Sequence, residues 1–288
     1  MTPEPEAGRY RLKERLSVDS DTWMAEDLED PTAQPVVKIL PEGSDAIASR
    51  HLHELPALPE INPLTDTGEL ADGRPFLVYP YVEGSTLRDF LNASGPLPLV
   101  VAGQLIAQIG RGLEALHEKR WVYGVLSPEH VMVRQNHGRQ QAVLLHAGAF
   151  RVSGRTSASP GYLAPEQAAG SPTAASDVFS LGAVAAEMLT GRRVFRYGSL
   201  AELQRLQRIG PARGSLRKLR SKIPPRVEEE LRRAMSWDAA HRPSDVAVFG
   251  SRISEYLGRE GLFPKRRLVL LGLAGVALTM AGLRRCRR

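Results

Sequence analysis

A single cysteine, Cys286, stands in 288 residues. That excludes an intramolecular disulfide and any zinc site built on cysteine. No glycine falls between Gly8 and Gly43. Only glycine lets consecutive backbone N–H groups close on a phosphate, so a phosphate cradle is excluded from that stretch. The opening residues, MTPEPEAGRY, hold no apolar core, and no secretory signal is expected. There is no internal repeat and no low-complexity tract. Acidic residues are absent after Glu260, where seven of the 38 basic residues lie; the 31 that remain face 32 acids. The body is therefore near neutral and the basic surplus belongs to the tail. That argues against nucleic acid as a partner, because its binding footprint is a basic face on the fold itself.

What is present suits a globular α+β chain. A hydrophobic share of 42% beside 24% charged residues can bury a substantial core, and the length fits one large two-lobed unit or two domains. After a disordered lead over 1–8, the alternation around Tyr10 and Leu12 predicts a strand, as do the runs Pro35–Leu40 and Phe76–Tyr79. Residues 45–55 have helical composition. Beyond them the pattern turns helical. Leu105, Ile106, Ile109, Leu113 and Leu116 share a face of a helix over 99–119. A second helix runs from Asp177 to Thr190, with Ser176 as N-cap and Gly191 as its stop, and Pro224-Pro225 opens a third through Met235.

The segment Leu268–Leu283 is uncharged and apolar all round, bracketed by a basic linker over 259–267 and a basic tail over 284–288. As a helix it spans about 24 Å, against a hydrocarbon core of about 30 Å. Snorkelling arginines and local thinning cover the difference. A single-pass membrane helix is expected, with the body on the cytoplasmic side. The alternative is a buried terminal helix, which the flanking charges disfavour. Cys286 is a candidate for acylation or an incidental thiol.

Several short stretches carry more specific information. Trp121–Val133, WVYGVLSPEHVMV, is an apolar lead-in, a turn fixed by Pro128, and an apolar strand. Gln34–Leu40 is a strand carrying Lys38. PFLVYPYVEGSTL spans 75–87, GYLAPEQ spans 161–167, SDVFSLG spans 176–182, and Trp237–Pro243 ends in Arg242-Pro243. In this order and spacing the chain resembles bacterial Ser/Thr protein kinases of the eukaryotic type over residues 9–258. The resemblance implies a protein-kinase-like bilobal fold, with a small β-rich lobe over 9–79, a hinge over 80–84 and a large helical lobe over 85–258. It implies that Lys38 is the phosphate-pairing lysine, with Glu54 its candidate carboxylate partner. Pro80 and Val82 become the hinge groups that leave adenine contacts open. It also implies a Glu166–Arg242 ion pair in the large lobe and an Asp177 that holds the catalytic-loop turn.

The reactive positions depart from the same pattern. Phosphoryl transfer needs phosphates gripped, magnesium held and a hydroxyl proton accepted. The base position is Val125, which takes no proton. The metal positions are His130 and His146, whose imidazoles are poor magnesium ligands; two such histidines would suit a transition metal only with a third ligand. The loop at 17–23 has no glycine and carries Asp19 and Asp21. Pro56 and Pro59 end the small-lobe helix close to Glu54, so the Lys38–Glu54 pair stays open. Tyr79 and Val36 are bulky beside the adenine position. Ser153, Thr156, Ser157 and Ser159 lie near Arg151 and Arg155, either as phosphorylation sites or as a solvated loop.

The expected protein is a membrane-anchored pseudokinase working through protein partners as a signalling scaffold or regulator. ATP is a candidate ligand and magnesium is not expected. The alternatives are an atypical Ser/Thr kinase using Lys38 with another acid such as Glu129, and a nucleotide sensor without transfer.

Overall fold

The run Pro35–Ile39 (β4) lies within a six-stranded antiparallel sheet, ordered β1-β2-β3-β4-β6-β5. Its companions are β1 (Glu6–Ala7), β2 (Tyr10–Arg15), β3 (Thr22–Asp27), β5 (Asp66–Glu69) and β6 (Pro75–Pro80). The computed structural model describes residues 6–16, 21–45, 55–155 and 158–260, the side chains of 259 and 260 excepted. The loop over 17–20, the helix expected around 45–55 with Glu54, and the apolar segment 268–283 with Cys286 fall wholly or mainly outside those residues.

Side chains alternate across a strand, and this sheet uses both faces. Val37 and Ile39 pack with Tyr10, Leu12, Ala25, Phe76 and Val78 into a small core. Val36 and Lys38 point the other way, and the register sets Val36 opposite Tyr79 and Lys38 opposite Leu77 and Thr22. Leu77 and Tyr79 belong to the main core, which extends through the second lobe. The period of two therefore delivers Lys38 and Tyr79 to the cleft between the lobes.

The second lobe is built on helices, with a three-stranded sheet β7 (Ser85–Thr86), β8 (Val131–Asn136) and β9 (Arg139–Leu144) on its cleft side. Helix α1 covers Leu87–Ser94 and α2 covers Leu99–Glu118. The last helix, α9 (Val246–Glu260), crosses α2 at close range. A Cβ on Gly110 would sit 2.8 Å from the Val246 carbonyl oxygen, and one on Gly250 would sit 2.9 Å from that of Ile106. Helix α2 is long and apolar enough to cross a membrane, but its apolar face is core.

Between them run α3 (Ala149–Ser153), α4 (Pro165–Ala168), α5 (Ala174–Thr190), α6 (Leu200–Ile209), α7 (Ser215–Leu219) and α8 (Pro225–Ala234). Helix α5 is buried along nearly its whole length. It begins earlier than the sequence pattern suggests, with Thr173 rather than Ser176 before it. The Ser176 hydroxyl instead accepts from the Thr173 N–H at 2.9 Å and donates to Glu166 at 2.6 Å. Gly191 closes the helix at φ 69, the left-handed conformation that suits a C-terminal stop.

Candidate functional site

The turn after Trp121 is held from beneath by Asp177 on α5, which is fully buried. One carboxylate oxygen accepts the Tyr123 N–H at 2.8 Å and lies 2.9 Å from His117 Nε2; the other accepts the Gly124 N–H at 2.8 Å. Gly124 sits at φ 71, and a Cβ there would lie 2.5 Å from the Phe150 ring. A larger residue is excluded both by backbone conformation and by that ring. Pro128 opens a short 3-10 turn, Pro128–His130, which hands the chain to β8.

Val125 is buried in this turn at 2% exposure, and its side chain offers no proton acceptor. The Tyr123 hydroxyl donates to the Leu145 carbonyl at 2.6 Å, with the His130 carbonyl at 3.2 Å. It ties the loop to the strand end beyond it.

His130 and His146 face one another, ring centroids 5.9 Å apart and nearly perpendicular. Burial, reinforced by the nearby Lys38 cation, pushes His130 down to about 4. Its Nδ1 lies 3.0 Å from the Ser127 hydroxyl. Enclosure by protein, then Lys38 and His130, hold His146 well below the ordinary histidine value. Both are therefore neutral at pH 7. His146 adopts φ 57, and its Nδ1 has no hydrogen-bond partner among the described residues. Lys38 is buried at 5% exposure, and its Nζ lies 3.4 Å from the Thr22 hydroxyl. Burial lowers its pKa to about 8, opposed by Asp21.

These residues do not fit magnesium. That ion takes oxygen ligands in an octahedron, and the two positions present nitrogen beside a buried lysine. Among the described residues no group of three or more His, Cys, Asp or Glu side chains converges to hold a metal.

Of the hinge groups, Pro80 ends β6 and Val82 follows it. The Pro80 carbonyl accepts from Asn62 Nδ2 at 3.1 Å. Asn62 is itself buried and anchored through its N–H to the Leu144 carbonyl at 3.0 Å. Tyr79 is fully buried and donates to the Ala147 carbonyl at 3.0 Å, its ring edge-on to His146. Burial raises its pKa far above the ordinary tyrosine value. Val36 and Val82 are buried too.

In the large lobe, Arg242 holds Glu166 bidentately at 2.6 and 2.9 Å, and also donates to the carbonyls of Ala175, Ser236 and Trp237. Against the effect of burial, Arg242 and Ser176 keep the Glu166 carboxyl below its usual range. A second network centres on Arg88 of α1. It donates to Glu129 and Glu187, both at 2.8 Å, and to the Tyr162 hydroxyl, which in turn reaches Glu187. Glu129 is held ionised by this arginine despite burial.

Asn62 and Arg88 escaped the sequence reading. The signal for Asn62 was a polar residue in the otherwise apolar lead Ile61-Asn62-Pro63-Leu64. Nothing local marks Arg88, whose partners lie 41 to 99 residues away.

Comparison with known proteins agrees with this geometry. Residues 51–250 match the family described as protein kinase domain. Serine/threonine-protein kinase PknK of Mycobacterium tuberculosis is 31% identical over 221 residues, covering 74% of this chain and 20% of that protein. PknL of the same organism is 28% identical over 257 residues, covering 84% of this chain and 62% of that one. The chain thus spans about a fifth of the first relative and under two thirds of the second. Among solved structures, a double mutant of the Mycobacterium tuberculosis PknI kinase domain superposes with a TM-score of 0.71 at 19% identity, covering 90% of this chain and 99% of that one. Rad53 1-466 in complex with AMP-PNP gives 0.70 at 19% identity, covering 85% and 65%. At these identities the structural likeness concerns the fold.

Proposed function

The chain belongs to the protein kinase domain family, and on that premise we propose that it keeps the kinase fold without phosphoryl transfer. In this reading it is a membrane-anchored signalling scaffold or regulator. The observation that carries the reading is the chemistry of three aligned positions: valine where the proton acceptor belongs, and neutral histidines at both metal positions. Loss of a general base alone costs about 10²–10⁴ in rate, and the metal contribution goes with it. The engagement of the Pro80 carbonyl by Asn62 and the packing of Tyr79 further disfavour a seated adenine.

An atypical kinase would have to enlist another acid. Glu129 is the nearest in sequence to the base position, and one of its oxygens is committed to Arg88. The frame supplied by Asp177, Glu166 and Arg242 serves shape and docking equally well. Protein partners engage that shape, and the segment 268–283 anchors it to a bilayer.

The test is transfer of labelled γ-phosphate from ATP to the chain itself and to generic protein substrates, with magnesium and with manganese. No transfer is expected. Turnover that vanishes in Lys38→Ala would overturn the reading. For the anchor, deletion of residues 265–288 releases the protein from the membrane fraction; unchanged association would defeat it.

A further inference from the structure

The near-neutral charge of the body conceals a strong separation. Residues 191–222 carry ten basic side chains and one acid, Glu202, while the rest of residues 1–260 holds 21 basic against 31 acidic. Parts of this stretch meet in the fold. The end of α6, the loop over 210–214, α7 and the Arg192-Arg193 turn enclose one shallow groove of about 220 Å³, lined among others by Arg192, Arg193, Leu206, Pro211 and Leu219.

Four of the ten have internal work. Arg220 donates to the Leu97 and Leu189 carbonyls. Arg193 and Arg208 lie over the Tyr162 and Trp237 rings, and Arg213 is 4.0 Å from Glu229. The other six, Arg192, Arg196, Arg205, Arg217, Lys218 and Lys222, are exposed and have no ion pair among the described residues. The same stretch exposes three large apolar side chains to solvent, Leu200 at 64%, Ile209 at 67% and Leu219 at 48%.

We propose that this face docks on the surface of a bilayer rich in anionic lipid. Cationic side chains attract such a surface at roughly fivefold in affinity per basic residue, and apolar residues between them enter the headgroup boundary. A nucleic-acid backbone would use the charge and leave Ile209 and Leu219 without a role. The chain's course favours the same occupant. Arg226, four residues beyond Lys222, lies over the Tyr256 ring at 5.9 Å, and Tyr256 is four residues from the end of α9. The last described helix, α9, thus runs close to the start of α8, which follows this stretch in the chain. The proposal builds on the anchor reading above, and the two are separable by experiment.

The full chain is reconstituted with vesicles of phosphatidylcholine alone, or with a third of the lipid as phosphatidylglycerol. Flotation reports the anchor, and amide hydrogen exchange over residues 205–219 reports the face. The proposal expects flotation with both lipids, and several-fold slower exchange over 205–219 with the anionic one only. Salt at about 0.5 M removes that protection by screening. In the triple variant Arg205→Gln, Arg217→Gln, Lys218→Gln, the attraction to the anionic surface weakens roughly a hundredfold, so the several-fold protection disappears while flotation is unchanged. These side chains are exposed and make no side-chain hydrogen bond or ion pair among the described residues, so the fold survives their loss. Equal exchange with both lipids overturns the face and leaves the anchor standing. Failure to float on neutral vesicles, with salt-sensitive protection on anionic ones, overturns the anchor and upholds the face. Protection by double-stranded DNA or polyglutamate but not by anionic vesicles overturns the proposal in favour of those partners.

Discussion

The Tyr79 hydroxyl donates to the Ala147 carbonyl at 3.0 Å, bridging the last strand of the small lobe to the segment that follows β9. Both residues are fully buried, so neither group finds water if the other is lost. Tyr79→Phe leaves the carbonyl without this donor and lowers stability by about 1–3 kcal/mol. Urea denaturation measures it. A change well under 1 kcal/mol would mean that the bridge does not hold the lobes.

His130 makes stability fall with acid. Its folded value of about 4 lies below its ordinary 6.5. The unfolded chain therefore takes up the proton first, and stability present above pH 6.5 is lost as pH drops towards 4. Full expression of that shift is worth about 3 kcal/mol. Melting temperatures between pH 7.5 and 5 show the decline, before the carboxylates titrate. His130→Gln reduces the decline, and His146, also held well below its ordinary value by burial, carries the rest.

Lys38 is an expensive charge to bury. With its pKa lowered to about 8 by burial, the cost of holding it charged is fully present below pH 8 and is relieved as pH rises towards 10.5. Lys38→Met is accordingly expected to be more stable than the parent at pH 7, by about 1–3 kcal/mol. It also lacks the gain in stability between pH 8 and about 9.5, a range below the tyrosine titrations. Differential scanning fluorimetry checks both, and destabilisation by Lys38→Met would show that the lysine has a stabilising partner.

The pair of Glu166 with Arg242 predicts a large structural effect. Arg242→Gln leaves the carboxylate without its bidentate partner and three carbonyls without a donor. The expected loss is about 3–5 kcal/mol, read by denaturant unfolding.

How much of this was legible in the sequence follows from how far apart the interacting groups lie. The strands and helices around Lys38, Asp177 and Arg242 are written in local periodicity and in short fixed spacings. Val125, His130 and His146 are read from the sequence through the same spacings. Asn62 meeting Pro80 and Arg88 meeting Glu129 and Glu187 were not visible, because each contact depends on how strands and helices from separate parts of the chain are brought together. The charged face over 191–222 was hidden for another reason. A net charge summed over the whole body cancels the basic stretch against acids elsewhere, and the structure adds that six of its basic side chains are exposed with no ion pair among the described residues.

The central claim is that the metal has lost its place in the cleft, and binding of a non-hydrolysable ATP analogue with and without magnesium tests it most directly. The account predicts that millimolar magnesium leaves the titration unchanged, with binding weak or absent in both. Affinity that rises tenfold or more on adding magnesium, about 1.4 kcal/mol, would contradict it.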